Sequence, residues 1–66
     1  MAVVKVIEIL SESDNSWEEA TQDAVNEVAK TINNIESVYI KGFQAIVKDK
    51  KIVKYRVDAK VSFIVD

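Results

Sequence analysis

The chain has 66 residues, a net charge of −2, no cysteine and no histidine. A chain of this length holds one domain, 1–66, and the missing side chains exclude disulfides, thiolate or imidazole metal sites and a Cys or His catalytic group. With 48% hydrophobic and 30% charged residues, and no apolar run near the ~20 residues of a membrane helix, the composition predicts a folded cytoplasmic protein with no membrane or nucleic-acid partner.

The first segment, Ala2 to Ser11, is dense in β-branched residues (Val3, Val4, Val6, Ile7, Ile9) with only Lys5 and Glu8 charged. This predicts a strand, and its apolar residues fall on both faces, as in a strand covered on each side. Ser11 to Ser16 is a polar loop ending in a cap: Ser16 followed by Glu19 fits a reciprocal capping box. Trp17, Ala20, Ala24, Val28 and Ile35 then follow helical spacing, with Val25 and Ile32 widening the stripe, and predict a helix from Trp17 to about Asn33. Asn33 and Asn34 tolerate a left-handed helix end. Glu36 to Lys48 reads as a second strand, in which Gly42 marks a bulge or bend. After a turn at Asp49-Lys50-Lys51, seven apolar residues alternate without a break: Val53, Tyr55, Val57, Ala59, Val61, Phe63 and Val65. That period belongs to a strand with one face on a helix, the other face carrying Lys54, Arg56, Asp58, Lys60 and Ser62.

The order β-α-β-β makes the chain an α+β protein. The helix reverses the chain, so the first two strands run the same way and an antiparallel three-stranded sheet needs the third between them, order 1-3-2. A chain below ~70–80 residues with neither disulfide nor structural metal gains its remaining stability by association, so a homo-oligomer is expected. No acid–base pair or nucleophile constellation stands out, and an enzyme is not expected.

Four pieces of sequence carry a resemblance: Ser16-Trp17-Glu18-Glu19-Ala20, Thr31-Ile32-Asn33-Asn34-Ile35, Lys54-Tyr55-Arg56-Val57 and Val61-Ser62-Phe63. In this order and spacing they resemble the dodecin family over essentially the whole chain. The resemblance implies a subunit whose strands partly wrap the helix, a hollow dodecamer, and non-enzymatic storage of a small ligand, often a flavin. Flavin-binding members carry a stacking Trp just after the helix, a Gln in the last strand and a Gly in the second; the matching positions here are Ser37, Arg56 and Ala45, and a further family Gly matches Ser62. These departures predict weakened binding of riboflavin or FMN, because a hydroxymethyl group cannot cover a flat ring. Members that lack the platform Trp are similar to this chain and are associated with calcium. The carboxylates for a calcium site are Glu12, Asp14, Glu36, Asp58 and Asp66, which lack any loop-motif spacing and would have to meet between subunits. The alternative implied is a structural or calcium-binding assembly with no organic ligand.

Three side chains have a functional and a plainer reading. Trp17, on the apolar stripe, reads as a packing residue rather than a ligand platform. Tyr39 shares a strand face with Ser37 and serves either as a substitute platform or as a subunit contact. Arg56 either grips a phosphate or carboxylate or pairs with Asp58 or a neighbouring subunit's Glu.

Overall fold

The computed structural model describes residues 2–65, so Asp66, one of the calcium candidates, lies outside the described residues. Four elements follow in the expected order: β1 (Val3–Ser13), α1 (Trp17–Ala29), β2 (Ile35–Lys48) and β3 (Lys51–Val65). The sheet order is β1-β3-β2 with both pairings antiparallel. The α+β class, the β-α-β-β order and the central third strand are therefore as the sequence predicts. Among the described residues no helix is long and apolar enough to cross a membrane.

The turn into α1 is built from serines. Ser13 is buried, and its Oγ accepts from the backbone N–H groups of Asn15 (2.9 Å) and Ser16 (3.3 Å). Ser16 is the N-cap, in extended conformation, with Oγ accepting from the Glu19 N–H at 3.0 Å. The reciprocal half of the expected capping box is not made. The Ser16 N–H is already held by Ser13, and the Glu19 carboxylate accepts from the Asn15 amide at 2.8 Å instead. Glu18 and Glu19 occupy the first turn, where the helix dipole favours negative charge.

The helix stops at Ala29, about four residues before the end its apolar spacing predicts. Lys30 is the C-cap; its N–H and that of Thr31 bond three residues back, to Glu27 and Val28, and the Ile32 N–H also reaches Val28. The last turn is thus tightened rather than closed by a left-handed residue: Asn33 and Asn34 keep negative φ, the only positive values among described non-glycines being at Asp49 and Lys50. The run Thr31-Ile32-Asn33-Asn34 has low helix propensity throughout. Ile35, on the helical stripe by spacing alone, is instead the first residue of β2, opposite Phe63.

The core is small. Ala20 and Ala24 on α1 pack with Val57 and Ala59 on β3, with Ile9, Val38 and Ile40 around them, and Val28, Val61 and Phe63 are buried as well. The three alanines let the helix lie close to the sheet, and Val57 and Val61 on either side of Ala59 are fully buried. Alternation on β3 holds as predicted, but its ends overhang: Val53 and Val65 stay exposed beyond the reach of the helix. Trp17 packs at the start of α1, edge-on to Phe43 and Tyr55 with centroids 5.9 and 5.0 Å away, and its indole N–H donates to the Gln44 carbonyl at 2.9 Å.

The β2–β3 pairing shifts register at Ile35/Ser37, Ile40/Gly42 and Ile46/Val47. Gly42 therefore does stand beside a bulge, with Lys41 as the extra residue. The hairpin closes through Asp49 and Lys50, φ 53° and 68°, the positive pair that a tight two-residue turn requires; Lys51 already belongs to β3.

Replacing Val57 by Asp would bury a carboxylate between helix and sheet, and we expect urea unfolding to register a loss of more than about 3 kcal/mol. Lys60→Gln, three positions along β3 on the opposite face, is expected to change stability by no more than about 0.5 kcal/mol. A Val57→Asp protein with the parent's midpoint would refute the core assignment.

Candidate functional site

The sheet face away from the helix is the functional candidate, because it combines exposed apolar, aromatic and charged side chains. Register defines it row by row. Val6 and Ser37 flank Ser62, Glu8 and Tyr39 flank Lys60, Leu10 and Gly42 flank Asp58, and Glu12 and Gln44 flank Arg56. Ser37 and Tyr39 are exposed on this outer face, as their spacing predicts. Ala45 pairs with Tyr55, whose ring meets Trp17, and so lies on the helix side of the sheet. The bulge at Lys41 is the cause: one extra residue inverts the parity of β2, so the odd positions before it and the even positions after it share a face.

Ser37 and Arg56 share the outer face without being neighbours. The partner of Ser37 on β3 is Ser62, six positions from Arg56, which is about 20 Å along a strand. Within one subunit the two cannot grip the same small molecule.

Arg56 is fixed from both sides. Its Nε donates to Glu12 Oε2 at 2.7 Å, its Nη2 contacts the same oxygen, and its Nη1 donates to Gln44 Oε1 at 3.2 Å. A residue on the middle strand thereby ties both edge strands together. Its acidic partner is Glu12 of the same chain, directly opposite in register, and not Asp58. Sequence reasoning considered Glu12 only as a metal ligand and passed over Gln44; the cross-strand register is the signal that finds both. Further ion pairs span the face, Lys41 to Glu8 at 3.6 Å and Lys54 to Glu12 at 3.8 Å. Asp58 belongs to none of these ion pairs, and its Oδ1 is buried without a hydrogen-bond partner.

The described residues form concavities at the helix end and on the outer face. One of about 230 Å³, beside the end of the helix, is lined by Thr31, Asn33, Asn34, Phe63 and Val65 among others. The second, of about 200 Å³, is on the outer face and involves Leu10, Gly42, Phe43, Gln44, Arg56 and Asp58. Among the described residues no three His, Cys, Asp or Glu side chains cluster as a metal would need. Glu36 and Asp14 are exposed and far apart in the fold, in β2 and in the β1–α1 loop. The carboxylates considered for calcium thus do not converge within one subunit.

Because Arg56 and Glu12 are each about one-third exposed, water and salt screen their attraction. A double-mutant cycle combining Glu12→Gln with Arg56→Gln should give a coupling of about 0.5–1 kcal/mol that shrinks toward zero in molar salt. A salt-independent coupling would mean that charge is not what joins the two strands here.

The sequence profile described as Dodecin matches residues 3–66. No curated protein matches the sequence at a significant level. Among solved structures, a Thermus thermophilus dodecin variant superposes with a TM-score of 0.93 at 23% identity, covering 100% of this chain and 98% of its own. A Streptomyces davaonensis dodecin gives 0.91 at 22% identity, over 98% of this chain and 96% of its own. The calcium-chelating immunodominant antigen calcium dodecin from Mycobacterium tuberculosis, with its calcium-binding site, gives 0.85 at 30% identity, over 97% of this chain and 91% of its own.

Proposed function

The chain belongs to the dodecin family, and from that premise we propose that it works without catalysis, as one subunit of a homododecamer that binds and stores a small ligand. The observation that carries this reading is the apolar surface that one helix leaves bare. Val3, Val4, Val6, Tyr39, Phe43, Val47 and Ile52 are all exposed, against seven buried hydrophobic residues among the described ones. A soluble monomer has no reason to keep so much apolar surface open, whereas neighbouring copies would cover it. Light scattering on the peak from size-exclusion chromatography is expected to give twelve chain masses; a folded monomer would overturn the reading.

The ligand site follows from the family positions Ser37, Ala45 and Arg56 with Tyr39 as neighbour. A flavin does not fit these residues in the family's stacked manner. Ser37 offers no ring, Ala45 faces the helix side, and Arg56 has three of its N–H groups directed at Glu12 and Gln44. Only Tyr39, exposed two residues from Ser37, supplies an aromatic surface. Riboflavin and FMN are therefore expected to bind weakly. Ser37→Trp combined with Arg56→Gln should restore stacking and quench flavin fluorescence, aromatic stacking adding about 0.5–1.5 kcal/mol per pair beyond buried area. Strong quenching by the unmodified protein would shift the platform role to Tyr39, and no quenching by the double variant would exclude the site.

A second reading, a calcium-binding assembly with no organic ligand, is favoured by the 30% identity to the mycobacterial calcium dodecin. Hard cations take six to eight oxygens, so in this chain the ligands Glu12, Asp14, Glu36 and Asp58 would have to come together from different subunits.

A further inference from the structure

The cavity at Leu10, Gly42 and Asp58 combines three features that the storage reading does not use. Asp58 Oδ1 is buried and accepts no hydrogen bond, although leaving a buried acceptor unmatched is destabilising. Neither charged neighbour along β3 is paired with it. Arg56, two residues before, is held by Glu12 and Gln44, and Lys60, two residues after, makes no ion pair with it. The second feature is Gly42, the only glycine in the chain, directly opposite Asp58 in register. Its φ is not positive, so its backbone does not demand glycine. A Cβ built there would meet nothing within 4 Å. What glycine provides is therefore space beside the carboxylate. The third feature is the opposite wall: Leu10, 65% exposed, stands across Asp58 on β1 and gives the cavity an apolar side.

From this geometry we infer that the Gly42–Asp58 cavity is a binding site for a compact, flat ligand carrying an amidine-type pair of N–H donors. Such a group directs a donor at Asp58 Oδ1 in a charge-assisted hydrogen bond and lays its planar body over the gap at Gly42, against Leu10. Gln44, whose oxygen accepts from Arg56, keeps its amide N–H groups for any acceptor on the same ligand. A group that presents only acceptors is refused, because it would set oxygen against the Asp58 carboxylate. The cavity, at about 200 Å³, admits a single small ring and little more. Neither Ser37 nor Tyr39 takes part; Arg56, one of the family's ligand positions, does line the cavity, but its N–H groups are held by Glu12 and Gln44, so the contact to Asp58 is tested apart from ring stacking at Ser37.

Benzamidine is the probe, added to the assembled full-length protein and followed by backbone amide chemical shifts. Saturable shifts are expected at Leu10, Gly42 and Asp58, with none along α1. Benzoate, which has the same shape and the opposite charge, should produce none, and benzamide should bind at least about tenfold more weakly because its donor is neutral and brings no positive charge to the Asp58 carboxylate. Asp58→Asn keeps the shape and should weaken benzamidine at least about tenfold. Gly42→Val fills the gap and should abolish the shifts at Leu10, while circular dichroism stays that of the parent, since nothing stands where the new side chain goes. Absence of benzamidine shifts would overturn the inference, as would equal binding by Asp58→Asn or shifts clustered on the helix. A donor from a neighbouring copy already seated on Asp58 would show as the first of these outcomes.

Discussion

A 13-residue helix, about 20 Å long, is the only element that covers a sheet whose longest strand has 15 residues and whose molecule extends 50 Å. The rest of the structure depends on that mismatch. The helix is placed over the middle of β3, where Ala20 and Ala24 against Ala59 allow close approach, and the residues sealed there are those within its reach. Val3 and Val65 at one end of the sheet and Val47, Ile52 and Val53 at the other remain exposed because no helix extends to them. The apolar surface exposed at the two ends of the sheet is thus a consequence of element lengths, while Val6, Leu10 and Tyr39 are exposed on the far face, which no helix covers.

On the far face of the sheet, charge does what the helix does on the near face. Arg56 holds β1 through Glu12 and β2 through Gln44, while Lys41 reaches over β3 to Glu8. Each contact is individually modest, being solvent-exposed, yet each links strands that are distant in sequence. The same network draws Arg56 away from Asp58, so that the acid best buried on this face is the one left without a partner.

Much of this architecture is legible in the sequence, and for identifiable reasons. Seven alternating apolar residues admit only a strand, and once β3 has a helix on one face the central position follows from strand direction. The helix end is less legible, because Ile32 and Ile35 continue the helical spacing by coincidence: the first residue of β2 is apolar for its contact with Phe63. The site is read only in part. Ser37 and Tyr39 share a face by simple parity, but Ala45 changes sides because Lys41 is an unpaired residue, and bulges have no reliable sequence signature beyond a nearby glycine. The partner of Arg56 is equally invisible until register is known, since Asp58 is the nearer acid in sequence and Glu12 the nearer one in space.

The position of β3 also bears on how the chain is made. The strand that both others pair with is the last of the four elements to leave the ribosome, so β1 waits through the synthesis of α1 and β2 with its hydrogen-bonding edges unmatched. Once β3 is available, the Asp49-Lys50 turn makes the β2–β3 hairpin the shorter loop to close, and β1 joins afterwards, Val3 coming opposite Val65 across nearly the full chain. In that interval Val3–Leu10 is a free β-prone segment able to pair with other nascent chains. Lys5 and Glu8, the charges that interrupt it, are placed to discourage that pairing until the proper partner arrives.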